Sequence, residues 1–339
     1  MSYDSINNFH LYDTTYLFFD IFCRNYELII ISPIVNKLEL NKIKFNYNKP
    51  INLKTVLYTE WMIVSVYDIM AYPNHDINIS VTFNNNTKNY ILQHLVFEKK
   101  YILAQTTLFK DDHYLLRKFV NYYTKQGVEH FYLYYNSSTE LEFKNENVTM
   151  INWDYIYYYN NKQCFGHAQA GHLNHSLYKY GIPLTQYIVY NDLDEYMITN
   201  KNVSIKDIII KYPNVDTFMF ANIWADTIEN PIENPTDMGN YYKDIGDDLD
   251  LPDKFYINSY TNPLGRHSKC IHKTSSIYLI QNIHMGEYYN NSKLVYSNNL
   301  FMFHFLRWSP PHIDHGYRER EHVGMKEVIL LEFDNKNII

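Results

Sequence analysis

Short β-prone runs punctuated by Asn, Pro and Asp clusters fill the start of the chain. Their spacing predicts strands over residues 28–34, 56–58, 63–67, 77–83 and 90–97, with turns near 46–50, 73–76 and 84–86. No helical period interrupts them, so a small sandwich-like all-β domain is expected over residues 1–98. Glu98-Lys99-Lys100 marks a change of rhythm. Beyond it, residues 101–109, 130–135 and 148–153 read as strands. Residues 113–125 carry Leu115, Leu116, Phe119, Val120 and Tyr123 at helical spacing, with Gly127 past the end. A second helix is predicted over 168–180, ending at Gly181. Alternating strands and helices imply an α/β domain over 99–339 with a mostly parallel sheet.

The most informative segment follows that second helix. Tyr187-Ile188-Val189-Tyr190 is a buried-strand pattern, and it runs directly into Asn191-Asp192-Leu193-Asp194-Glu195. Open α/β sheets present their chemistry at the carboxyl ends of their strands. Carboxylates leaving such an edge can hold a hard divalent cation, and through it a diphosphate. Asp248-Leu249-Asp250 is the same tripeptide, but Gly246 and Pro252 flank it, which predicts a loop without a site.

Composition narrows the classes. Hydrophobic residues make up 46% and charged residues 20% of the 339 positions, a globular balance. A formal net charge of −7 excludes a general nucleic-acid binder, which needs a basic face. Cys23, Cys164 and Cys270 are too sparse for a disulfide framework and fit no zinc spacing. No transmembrane span or signal peptide is evident, since the apolar stretch 28–35 is short and contains Ser32 and Pro33. A reducing, cytoplasm-like compartment is therefore expected. The 35 tyrosines accompany abundant Asn, Ile, Lys and Phe. All have AT-rich codons, so the bias suggests an AT-rich genome such as that of a large DNA virus or a protist; for a virus the location becomes host cytoplasm or virion.

Several pieces in order resemble glycosyltransferase family 92, also known as domain of unknown function 23. They are Lys110-Asp111-Asp112, the helix bearing Phe119 and Tyr122-Tyr123, and Gly127 to Tyr134. Further on come Gln169 with Leu173 to Leu177, then Asp192-Leu193-Asp194-Glu195-Tyr196, and later Lys269, His284 and His304. The similarity covers roughly residues 101–310. It departs where the second strand ends Tyr134-Tyr135-Asn136 in place of Tyr-Asp-Asn, which removes a carboxylate that bears on the nucleotide base. Lys118 likewise stands where an acidic residue is common. The resemblance implies a GT-A-like, Rossmann-type fold and an inverting transfer from a nucleotide sugar, with uridine diphosphate as the carrier. It also implies a glycan or glycoprotein acceptor; a homo-oligomer is compatible with it.

The resemblance sorts the candidate residues. Asp194 is the expected metal ligand, and Asp192 a ligand or a contact to ribose and metal-bound water. His284, before a glycine turn, is the expected third ligand, with His304 as its competitor and a donor contact. Carboxylate plus imidazole suits manganese, with magnesium also compatible. Asp111, Asn136 and Gln169 are further donor-binding candidates, and Lys269 is placed beside the diphosphate. For the general base, Asp226 and Glu229 are the candidates, with Glu195 and Glu287 in competition; Trp224 could stack on an acceptor sugar. Two other readings stay open. A metal-dependent nucleotidyltransferase or phosphohydrolase would also use such carboxylates, although no Gly-rich phosphate loop accompanies them. A carbohydrate-binding or fibre-associated protein with a degenerate transferase domain would need no turnover.

Overall fold

A computed structural model of the protein describes residues 2–4, 6–12, 15–34, 40–69, 76–95, 98–156, 167–199, 203–227, 249–258, 268–282, 284–289, 292–296, 300–305, 308 and 325–329. Among these, the largest sheet has eight strands. Their order is Ser2–Asp4, Val148–Asn152, His130–Tyr135, Tyr101–Phe109, Thr185–Tyr190, Lys269–Lys273, Thr217–Phe220 and Leu294–Tyr296. The first five run parallel to one another, and Lys269–Lys273 is antiparallel to both its neighbours. From Tyr101 onward, the first strand of this sheet thus lies between the second and the fourth. The order reverses between Tyr101–Phe109 and Thr185–Tyr190, and their carboxyl ends flank the reversal. Binding crevices form at such points in open sheets.

The helices predicted beside this sheet are present. A 3-10 turn at His113–Leu115 leads into Leu116–Lys125, whose Leu116, Phe119, Val120, Tyr122 and Tyr123 are buried against the sheet. Gly127 leaves the helix at φ +87°, a left-handed conformation that suits glycine. The second helix, His167–Ser176, runs on through a π turn at Leu177–Gly181. Its inner positions His172, Asn174 and His175 are buried along with Leu173 and Leu177, because it is covered on more than one side. A helix at Ile205–Lys211 was not foreseen; Ser204 and Asp207 close a capping box at its start.

A second, mixed sheet has the order Glu195–Thr199, Leu300–Phe305, Asn222–Asp226, Lys254–Asn258 and Met325–Ile329. Its Tyr196, Ile223, Phe255, Phe303 and Phe305 share a core with Phe119 and Tyr123.

The strand-rich first segment contains a five-stranded sheet, running from His94–Leu95 through Asp20–Arg24, Glu27–Pro33 and Met62–Ile69 to Ile51–Tyr58. Asn86–Leu92, Ile77–Phe83 and Lys44–Asn46 form a three-stranded sheet. Leu28, Ile30 and Ile63 point toward Ile79, Val81 and Phe83 between the two sheets. Ile29, Ile31, Met62 and Val64 point the other way and join Trp153, Leu173, Leu177 and Ile188. Burial on both faces explains the unbroken apolar run Leu28-Ile29-Ile30-Ile31, since alternating side chains are covered on each side. The change of rhythm near residue 98 is thus a change of architecture within a shared core. The segment is also fastened by polar contacts. Asp20, fully buried, accepts from His175 Nε2 (2.7 Å) and faces Lys179 Nζ at 3.1 Å.

Cys23 and Cys270 are free and buried, and burial pushes both thiols up to about 12; Cys164 lies outside the described residues. Among the described residues, no helix is long and apolar enough to cross a membrane.

Candidate active site

The crevice at the strand reversal is lined by carboxylates from two loops. Lys110 to Asp112 follow the strand Tyr101–Phe109, and Asn191 to Asp194 follow Thr185–Tyr190. Asp112 belongs to this group: burial, and after it the charge of Asp194, push its carboxyl up to about 7. Asp111, the expected donor contact, is exposed in the same turn. Consecutive side chains in a tight turn diverge, and the one that leads the 3-10 turn faces the crevice. Asp192 is pushed up to about 6 by burial and by Glu195 and Asp194, although Lys269 and His304 oppose the rise. Carboxylates held this close favour a cation among them.

Two basic groups of the chain face those carboxylates. Lys269 is 1% exposed; its Nζ lies 2.9 Å from Glu195 Oε2 and 3.7 Å from Asp192 Oδ2. His304 Nε2 lies 3.1 Å from Asp194 Oδ2, and its Nδ1 lies 3.4 Å from Glu195 Oε1. Burial lowers the affinity of that imidazole for a proton, but Asp194 and Glu195 outweigh it, so its pKa is raised. The second sheet delivers these groups by register, because Glu195 pairs opposite His304, which pairs opposite Trp224. The rings of Trp224 and His304 meet at 4.6 Å and 37°. Asp226, two residues on and buried, shares that strand face by alternation. Its Oδ1 accepts from the backbone of Thr227 at 2.6 Å.

The loop is anchored from beneath. Asn191 accepts from Gln105 Nε2 and donates to the hydroxyl of Tyr123 (3.0 Å) and the carbonyl of Glu195 (2.8 Å). The Tyr123 hydroxyl donates to that same carbonyl at 2.8 Å. In the described part of the second tripeptide, Leu249 to Asp253 have no regular structure, and the exposed Asp250 pairs with Lys125. Asp248 lies outside the described residues.

The other expected site residues are engaged as follows. His284 Nδ1 contacts the carbonyl of Ser268 at 2.8 Å, beside Lys269, while the imidazole of His304 contacts Asp194. Asn136 is buried, and its amide donates to the carbonyls of Trp153 (2.7 Å) and Tyr155 (2.8 Å), which pins the loop after Val148–Asn152. Gln169 lies on the helix His167–Ser176, whose neighbours join the core shared with the first segment. Glu287 accepts from the hydroxyl of Tyr278 at 2.9 Å on a separate hairpin. Glu229 lies outside the described residues. Lys118, the charge reversal noted in the sequence, donates to the carbonyl of Asp250 at 2.9 Å and lies over the ring of Trp308.

Among the described residues, no group of three or more His, Cys, Asp or Glu side chains is gathered to hold a metal ion. The donor set still suits one. Magnesium-like ions commonly take one or two carboxylates from the protein and complete their shell with substrate phosphates and water. Asp192 and Asp194 are such a pair.

The architecture is that of an α/β protein with a cluster of carboxylates at a strand reversal. The comparison by family agrees: residues 99–329 match the model for glycosyltransferase family 92, and the chain belongs to that family. No curated protein matches the chain. Among solved structures, the maltogenic amylase from S. marinus aligns at 14% identity and a TM-score of 0.12, over 54% of this chain. The aligned part spans 31% of the amylase, and a likeness that low carries no argument about fold.

Proposed function

We propose that this protein transfers a sugar from a uridine diphosphate sugar to a glycan or glycoprotein acceptor, with inversion and with a divalent ion, manganese first, as cofactor. The observation that carries the reading is the convergence of Asp112, Asp192 and Asp194 with Lys269 and His304 at the strand reversal. The parallel order of the strands around that reversal supports a GT-A-like, Rossmann-type arrangement. Asp192 and Asp194 would hold the ion, which supplies a Lewis acid for the departing diphosphate.

The rest follows from the chain's own groups. His304 orients Asp194 through the 3.1 Å contact. Trp224 offers an aromatic face at the same edge for an acceptor sugar. Asp226 is the candidate to take the acceptor hydroxyl's proton, because it shares a strand face with Trp224. Tyr135, where the family has a carboxylate, stacks on Phe109 at 5.3 Å at the same end of the sheet. An aromatic there is suited to stack on a nucleobase.

Calorimetry with a panel of nucleotide sugars, with and without manganese, followed by assay of nucleotide release, tests the reading. Manganese-dependent binding and turnover of a uridine diphosphate sugar is the expected result; no binding of any nucleotide sugar would refute it. A non-catalytic carbohydrate-binding role has one observation in its favour, the structural engagement of Asn136. Glycan binding without nucleotide binding is the outcome that would establish it.

A further inference from the structure

Glu195 was one of the acids competing for the role of base. We propose instead that Glu195 and Lys269 are a buried positioning pair. Together they hold the Asp192–Asp194 loop and the ring of His304 in place without touching the donor. The proposal rests on the transferase reading of the crevice.

Glu195 is 1% exposed, and both of its oxygens are occupied. Oε2 accepts from the backbone of Asp192 at 2.9 Å and meets Lys269 Nζ at 2.9 Å. Oε1 accepts from Asn222 Nδ2 at 3.1 Å and lies 3.4 Å from His304 Nδ1. A carboxylate this buried, with a donor or a basic group at each oxygen, is out of reach of an acceptor hydroxyl. What it can do is fix geometry. Its own backbone N–H donates back to the Asp192 carbonyl at 3.1 Å, closing a ring over residues 192–195. The carbonyl of Asp194 is held in turn by the backbone N–H of Phe305 at 2.9 Å, one residue past His304. The backbone of the loop is thereby held at both aspartates.

Lys269 completes the device from the adjacent strand. Its ammonium is as buried as Glu195; it lies 2.9 Å from Glu195 Oε2 and 3.7 Å from Asp192 Oδ2. A lysine meeting a diphosphate directly would present its head to the crevice; this one is enclosed by the loop's carboxylates. One glutamate therefore couples three elements: the loop by its backbone, the second sheet through His304 and Asn222, and the large sheet through Lys269. Groups in this position around metal sites commonly alter metal affinity about 10–100-fold when removed.

The test uses the full chain, uridine diphosphate as probe, and manganese. Glu195→Gln combined with Lys269→Met removes both charges of the pair together, which avoids leaving one buried and unpartnered. The double variant should melt cooperatively near the wild-type temperature. Its affinity for uridine diphosphate with manganese should fall roughly 10–100-fold, while metal-free binding changes less than about threefold. Asn222→Ala, which removes a single bond to Glu195, should raise the half-saturating manganese concentration severalfold and gives the answer if the double variant does not fold. Wild-type-like manganese dependence in either folded variant overturns the positioning role. A matching loss of metal-free binding in the double variant overturns it as well, since Lys269 would then contact the diphosphate itself. Failure of the wild-type protein to bind any nucleoside diphosphate is a distinct result, which removes the transferase reading and this proposal with it.

Discussion

Replacing Asp20 with alanine should destabilise the whole protein, even though Asp20 lies in the strand-rich first segment. Its carboxylate is fully buried and serves four donors: His175 Nε2 at 2.7 Å, Lys179 Nζ at 3.1 Å, and the backbone N–H groups of Asn7 (2.6 Å) and Ile21 (2.8 Å). The hydroxyl of Tyr134 lies 2.6 Å from His175 Nδ1. Burial lowers the proton affinity of His175 despite the pull of Asp20. The ring is therefore neutral: it carries its proton on Nε2 toward Asp20 and accepts from Tyr134 on Nδ1. That makes the His175 contact a hydrogen bond, and the ion pair of the cluster is Asp20 with Lys179. Removing one partner of a buried pair costs about 3–5 kcal/mol. At roughly 2 °C per kcal/mol for a chain this long, the melting temperature should fall by roughly 6–10 °C.

The same cluster sets a pH dependence. Burial alone would raise the pKa of Asp20, but Lys179 and the hydrogen bond from His175 outweigh it and leave it lowered. A lowered carboxyl stabilises the fold above the unfolded value, about 3.9, and that stability is lost as pH falls through the folded value. The lowered imidazole acts in the same direction, because below about pH 6.5 the unfolded histidine takes up a proton that the folded one refuses. Stability should therefore decline from about pH 6.5 downward, with a second, steeper loss below about pH 4. Thermal melts of wild type and Asp20→Ala from about pH 2 to 8, followed by circular dichroism, measure both effects. A shift under about 2 °C at neutral pH, with parallel pH profiles for the two proteins, would refute the argument.

Asp194→Asn should reduce manganese-dependent turnover at least about 100-fold while the fold persists; near-normal turnover in a folded variant would rule out the crevice as the site. Asp250→Asn, in the exposed copy of the tripeptide, should retain wild-type turnover and lose at most about 1 kcal/mol of stability, measured by urea titration. Gly127→Ala combines a left-handed backbone (φ +87°) with a Cβ placed 2.5 Å from that of Lys206, so it should lose about 1–3 kcal/mol in the same titration. A fragment beginning at residue 99 strips Phe22, Ile29, Ile31 and Val64 from the shared core and should fail to fold cooperatively. A monomeric fragment with a sharp thermal transition would show that the strand-rich segment is dispensable.

The parts of this molecule legible in its sequence are those set by local pattern. The strands at Tyr101–Phe109, His130–Tyr135 and Thr185–Tyr190 announce themselves by β-branched and aromatic runs, and the helix Leu116–Lys125 by its spacing. The aspartates stood out because a buried strand breaks into charge, and the described part of the second copy, Leu249 and Asp250, is exposed and without regular structure. The Ile205–Lys211 helix was hidden by three consecutive isoleucines that read as strand, although Ser204 and Asp207 carried the capping signal. What local pattern could not resolve was register. His284 and His304 both follow apolar runs, and His304 meets Asp194 because Leu300–Phe305 pairs with Glu195–Thr199 about a hundred residues away in the chain. That same pairing places Glu195 opposite His304 and Trp224 beyond it, so one alignment of three strands decides which imidazole, which aromatic and which acid belong together. Shifting the central strand by one residue would turn His304 to the other face and bring Phe303 or Phe305 against Asp194. The chemistry of the crevice is therefore as much a property of sheet register as of the residues that line it, and the aromatic core of Tyr196, Phe255, Phe303 and Phe305 that fixes this register is part of the site.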